Sequence, residues 1–177
     1  MSDRAIKLVK DDRTKLNRIL NDFKLLRGSY VKIGYIEGDK SHKKKKKGKK
    51  SAAYINMAAL AAVHEYGSPK MGIPERSSIR SWVDGNQPEI RKRMERMVKA
   101  IIEGRVSPEI ALKTMAVFAQ GGIKRQIKTI SSPPLKARTI KLKKSSQPLI
   151  DTGQMRASVR FIIQKNGFFG KIIGKLR

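Results

Sequence analysis

Eight lysines are packed into the stretch from Asp39 to Lys50: Lys40, Lys43, Lys44, Lys45, Lys46, Lys47, Lys49 and Lys50. Asp39 is the only acid among them. Lysine is almost never fully buried without a partner, so this run cannot contribute to a core. A block of like charge repels itself and stays solvated. Gly48 adds further freedom to the backbone. Residues 38–51 are therefore expected to form a disordered or extended Lys-rich loop inserted into the fold. The core must come from the sequence on either side of it.

That remainder is long enough. The chain has 177 residues, the size of one ordinary domain, and 39% of them are hydrophobic. A single α+β domain over residues 1–177 is the expected organisation. The charge is unusual: 41 Lys and Arg against 14 Asp and Glu give a formal net charge of +27. After Gly121 the only acid is Asp151. Excess like charge opposes compaction and self-association, so nucleic acid or acidic protein neighbours must offset it. The lysine run has no interleaved aromatic residues for base stacking, so any contact there with DNA would be to phosphate and non-specific. No helix-turn-helix, RNA-recognition or zinc-finger pattern is present to read bases.

The apolar periodicity outlines the elements. Ile6, Val9, Leu16, Ile19, Leu20, Phe23 and Leu26 recur at helical intervals through Asp3–Arg27, and Gly28 is a natural stop. Val31, Ile33 and Tyr35 alternate as in a strand. Ala52–Tyr66 reads as a helix closed by Gly67, and Glu75–Val83 as a short helix with Trp82 turned inward. Pro88 opens a helix whose expected buried stripe is Ile90, Met94, Met97, Val98 and Ile101. Ser107 and Pro108 suit the cap and first position of a longer helix, in which Gly121-Gly122 marks a kink or close packing. Leu135–Leu142 reads as a short basic helix. Asp151 is expected to cap the turn that follows it, with Gln154 as the return partner of a capping box. Val159, Phe161 and Ile163 alternate, and Asn166-Gly167 suits a two-residue hairpin turn before Phe168–Ile173. The fold class is thus α+β. A small antiparallel sheet, made of the N-terminal strand plus a C-terminal hairpin, is covered by several helices.

Catalytic patterns are weak. Asp151-Thr152-Gly153 matches the aspartic-protease triplet, but too little chain follows it to enclose such a site. His64-Glu65 begins like a zincin motif, but Ser68 stands where the second histidine belongs. There is no cysteine for a thiolate or a Cys-zinc site, no P-loop and no Gly-x-Ser-x-Gly elbow. No enzymatic activity and no cofactor or metal are expected. No apolar run is long enough to span a membrane, and Met1–Arg4 lacks an apolar signal core, so cytoplasmic synthesis is expected.

The order of several short motifs says more than any one of them. Val31-Lys-Ile-Gly34 is followed by His64-Glu-Tyr-Gly67, then Ile73-Pro-Glu-Arg76 and Ser77-Ser-Ile-Arg80. Leu135–Lys143, Gln147-Pro-Leu-Ile-Asp-Thr-Gly-Gln-Met155 and a terminal strand complete the series. This arrangement, over about Tyr30–Ile163, resembles the neck and tail-completion proteins of tailed bacteriophages, also called virion morphogenesis or minor tail proteins. That family usually continues after Arg76 with Pro and an aromatic residue, where this chain has Ser77 and Ser78. The resemblance implies a structural virion protein without catalytic residues. It implies a homo-oligomeric ring, six- or twelve-fold, at the head–tail junction around the DNA channel, assembled in the host cytoplasm. It also implies connector, neck or tail-terminator neighbours, and it marks Gly67, Pro74, Arg76, Pro148, Asp151 and Gly153 as fold or interface positions. Acidic neighbours and contact with channel DNA are what the charge adds. Pairing with a carboxylate or a neighbouring subunit is one reading of Arg76, and a plain surface arginine is the other. Composition alone favours a different class, a basic protein that binds nucleic acid non-specifically and belongs to no virion.

Overall fold

A computed structural model describes residues 2–36, 56–143, 145–165 and 172–174, with side chains described from residue 13 to residue 165 within those ranges. The lysine run and the Asn166-Gly167 turn lie outside the described residues. Among the described residues, seven α-helices and three strands follow in the order α1 Ser2–Leu26, β1 Tyr30–Tyr35, α2 Met57–Tyr66, α3 Ile79–Gly85, α4 Gln87–Ile102, α5 Pro108–Thr129, α6 Ala137–Lys143, α7 Gln154–Ala157, β2 Val159–Gln164 and β3 Ile172–Gly174. A 3-10 turn, Pro69–Met71, follows α2. The sheet order is β1-β2-β3, with β1 and β2 antiparallel. The expected α+β class with a small sheet is borne out.

The chain forms two compact units. The first is built on Met1–Lys32, Pro88–Val117 and Ile162–Leu176. Within it Ala100, Ile101, Ala111, Ala116 and Ile163 are buried. Arg18 fastens α1 to the end of α4 by donating to the carbonyls of Ile101 (3.1 Å) and Ile102 (2.7 Å). Those carbonyls are in the last turn of α4, where the Ile101 carbonyl also accepts from the Gly104 N–H at 2.9 Å. The apolar stripes are narrower than the periodicity suggests. On α1, Ile19 and Leu26 are half-buried, whereas Leu16, Leu20 and Phe23 are exposed. On α4, Ile101 is buried and Ile90 and Met97 are half-buried, but Met94 and Val98 are exposed. Periodicity identifies an apolar arc; it does not determine how much of that arc the chain itself covers.

The second unit is built on Ile33–Gln87 and Phe118–Phe161. Trp82, Ile123, Ile127, Leu149, Met155, Val159 and Phe161 are buried in it. Trp82 meets Phe118 edge-on, with ring centroids 5.5 Å apart. Gly122 is what admits the indole: a Cβ there would stand 2.1 Å from Trp82 Cε2. Close packing is thus the reason for Gly122, whereas a Cβ at Gly121 would make only an ordinary contact 3.6 Å from the Arg125 side chain. Gln120, also buried, donates to the Val159 carbonyl at 2.8 Å and ties α5 to β2. The alternation read in the tail is sharp, with Val159, Phe161 and Ile163 all buried along β2.

Two helix starts differ from expectation. The described part of α2 begins at Met57, because Asn56 caps it and accepts from the N–H of Ala58 at 2.9 Å. Helix α3 begins at Ile79 instead of Glu75. Glu75–Ser77 stays outside the helix and Ser78 becomes its N-cap, because Arg76, Ser77 and Ser78 are engaged by α2, as described next.

Candidate functional site

Helix α2 ends at Tyr66, and Gly67 turns the chain with φ 73°. Its missing side chain also matters, since a Cβ would lie 2.9 Å from the Glu75 nitrogen. A short loop closes by pairing Ser68 with Ile73 and returns the chain so that the Arg76 N–H donates to the His64 carbonyl at 2.7 Å. Three charged side chains then have separate tasks.

Glu65 is buried, and its carboxylate sits at the start of α3. One oxygen accepts from the N–H groups of Ser78 (2.8 Å) and Ile79 (3.1 Å). The other accepts from the Arg80 N–H (2.9 Å) and the Ser77 hydroxyl (2.7 Å). Ser78, at the N-cap position, makes no side-chain cap bond of its own. Glu65 therefore caps α3 from another helix, satisfying donors that would otherwise be orphaned. Burial pushes the Glu65 carboxyl up, but the hydrogen bonds from Arg80, Ser77, Ser78 and Ile79 outweigh it and hold the group below the usual carboxylate range. Arg80 closes the arrangement from outside. It donates to the Glu65 carbonyl (2.6 Å) and to Glu75 (2.7 Å), with its guanidinium 4.8 Å from the centre of the Tyr66 ring. Tyr35 on β1 lies in the same neighbourhood. Burial is the main reason its phenol is pushed up to about 12; Ser78 opposes that rise and the Glu65 charge adds to it.

Arg76 is buried, at 6% exposure, and it pairs with no carboxylate among the described residues. Its Nε donates to the Pro133 carbonyl (2.8 Å) and an Nη to the Pro134 carbonyl (3.1 Å). Both the surface-arginine reading and the carboxylate-pair reading are corrected by this. The Ser131–Pro134 break presents carbonyls that need donors, and a planar fork fits two of them at once. Arg76→Lys is expected to cost about 1–2 kcal/mol, because an ammonium cannot span both carbonyls. Urea denaturation of the two proteins side by side measures this.

His64, Lys143, Pro148, Asp151 and Gly153 line one small cavity of about 90 Å³. Lys143 donates to the carbonyls of Gln147 (3.2 Å) and Pro148 (3.0 Å). Burial lowers the Lys143 ammonium; the Asp151 charge opposes this and the Arg76 charge reinforces it. Burial also lowers the His64 imidazole, helped by the positive charges of Arg76 and Lys143. The expected capping role of Asp151 is overturned. Helix α7 starts at Gln154, and its N-cap is Gly153, in the left-handed conformation at φ 75° and without a side-chain cap bond. Asp151 lies too far ahead of that start to be the cap, and Gln154, at the first helical position, is not the return partner.

Of the marked positions, Arg76, Pro148, Asp151 and Gly153 thus gather around His64 and Lys143. Gly67 and Pro74 border a different concavity, together with Tyr66 and Lys136. The lysines from Lys40 to Lys50 fall outside the described residues. A further basic group was not singled out from sequence: Lys124, whose ammonium is lowered by burial first and then by the charges of Arg156 and Arg160. These residues come from α5, α7 and β2, so no local run of charge betrays them. Among the described residues, no group of three or more His, Asp or Glu is placed to hold a metal ion, and no helix is long and apolar enough to cross a membrane. No family model, curated protein or solved structure matches this chain.

Proposed function

We propose that this chain is a structural subunit of a ring at the head–tail junction of a tailed bacteriophage, a neck or tail-completion protein that surrounds the DNA channel. One observation carries the reading: the motifs behind the resemblance act as parts of one fold-holding device. His64-Glu-Tyr-Gly67 supplies the carboxylate and the turn, and Ile73-Pro-Glu-Arg76 supplies the buried guanidinium. Ser77-Ser-Ile-Arg80 supplies the donors to Glu65. Where the family usually has Pro and an aromatic residue, Ser77 and Ser78 each donate to this carboxylate, so the departure is absorbed by the same device. Motifs spent on holding a shape fit a protein whose work is architectural.

The charge fits the same reading. A subunit at +27 repels its own copies over about a Debye length, so assembly needs acidic junction neighbours, DNA or salt. Association measured against salt, with and without purified junction partners, tests it. Partners are expected to promote ring formation at low salt. Ready ring formation by the isolated, nucleic-acid-free protein at low salt contradicts it.

The second reading, a free nucleic-acid-binding protein, is favoured by the basic grouping of Lys124, Arg156 and Arg160. Under it the isolated monomer binds DNA tightly, and log K falls by about 0.9 per phosphate neutralised for each unit of log salt. Changing Lys43–Lys47 to Ser is expected to flatten that slope if the lysine run contacts phosphate. An unchanged slope removes the run from that role.

A further inference from the structure

The uncovered arc of α4 has a pattern of its own. Met94, Val98 and Ile102 recur every fourth residue and are 54%, 40% and 44% exposed. They form one shallow apolar groove with Arg91, Glu95, Lys99 and Glu103. Those four charged residues also recur every fourth residue, with signs that alternate: plus, minus, plus, minus. Paired along its full length, such a series is its own complement only when read in reverse. Two copies of α4 laid antiparallel and centred at the level of Met97 seat Val98 between Met94 and Val98 of the other copy, and Met94 between its Val98 and Ile102. The same pairing sets Glu95 beside Lys99 and Arg91 beside Glu103, each twice by symmetry. A parallel pairing in register sets like charge against like.

We infer that this face of α4 docks on the same face of a second copy of this chain, antiparallel and about a two-fold axis at the level of Met97. The contact is isologous, so it closes on itself as a pair. Glu103 already holds Arg105 within its own chain at 2.6 Å, so the inner pair of Glu95 and Lys99 carries most of the orientation. One helix face buries less than the roughly 1,600 Å² of a standard interface, so the pairing is weak. Each copy carries a net +27, and screening that repulsion strengthens the pairing from low to moderate salt. The inference stands apart from the virion reading, since a pair of this kind forms whether or not a ring does.

Sedimentation of the full chain, freed of nucleic acid, tests it over a range of concentration and salt. The mass is expected to rise from one copy toward two with concentration, more readily at moderate salt. Val98→Asp, at an exposed position, abolishes the rise while the circular dichroism spectrum is retained. Glu95→Lys places like charges opposite each other and weakens pairing about tenfold. The double variant Glu95→Lys, Lys99→Glu restores it, because the reversed charges again complement each other. A single-copy mass throughout overturns the inference, including the case in which the mass shifts only on adding an acidic protein. Pairing unaffected by Val98→Asp, or a double variant that pairs no better than Glu95→Lys, overturns it equally. Should Val98→Asp lose its fold, the charge variants decide alone.

Discussion

Replacing Glu65 with alanine is expected to remove about 3–5 kcal/mol of stability, the largest loss from any single side chain in the second unit. Glu65 is 8% exposed, and its carboxylate accepts from three successive backbone N–H groups and a serine hydroxyl. Without it the donors of Ser78, Ile79 and Arg80 lose their acceptor, and the start of α3 has no other cap. Each buried donor left unsatisfied costs about 1–3 kcal/mol. Glu65→Gln keeps the shape but turns an amide nitrogen toward N–H donors, so about half the loss is expected. Urea denaturation measures both. A Glu65→Ala protein within about 0.5 kcal/mol of the parent contradicts the role given to this carboxylate.

The same group sets part of the acid response. The folded Glu65 carboxyl lies below its ordinary value of 4.5. Its stabilisation is therefore complete above that value and is lost as pH falls through the folded value. His64 acts earlier with the same sign. Its folded value lies below the ordinary 6.5, so stability declines as pH falls from there, because the unfolded imidazole takes the proton more readily. Stability against pH should thus fall in two stages, and Glu65→Ala should lose the lower one.

Gly122→Ala is the second large effect. The added methyl would stand 2.1, 2.2 and 2.3 Å from three atoms of the Trp82 ring, well inside van der Waals contact. The indole is 5% exposed and lies edge-on to Phe118, so it has little room to yield. Overpacking a core costs about 1–3 kcal/mol, and this overlap is expected to reach the top of that range or exceed it. Trp82→Leu alone leaves a cavity and is also expected to cost about 3 kcal/mol. Combined, the two changes should cost clearly less than their sum, because the alanine methyl fills space that the indole vacates. Strict additivity in thermal or urea denaturation contradicts the packing described here.

Features set by neighbouring residues were readable in the sequence. The alternation of Val159, Phe161 and Ile163 marks a strand with one buried face, and all three are buried. Ser107 before Pro108 marks a helix start, where the serine oxygen accepts from the Ile110 N–H at 3.4 Å. Gly67 marks a helix end, and Gly122 of the glycine pair marks close packing. Features set by distant residues were not readable. The donors to Glu65 lie 12 to 15 residues away on another element, so no capping pattern announces them. The same engagement keeps Glu75–Ser77 out of the helix and delays α3. Arg76 finds its acceptors 57 and 58 residues on, at two proline carbonyls that composition cannot single out. Asp151 shows the opposite failure. Asp-Thr-Gly-Gln looks like a complete local signal, yet Gly153 takes the cap position with its left-handed backbone. Met94 and Val98 have the spacing of core residues, and only the fold reveals that the chain leaves them bare.

The proposed role is tested most directly by a symmetry-resolved image of an assembled phage particle, with the chains adjoining this one in view. The account predicts copies of this chain arranged as a ring at the head–tail junction around the channel, their basic surfaces facing acidic neighbours or DNA. A particle whose junction lacks this chain, paired with a purified protein that stays monomeric and turns over a substrate, contradicts it.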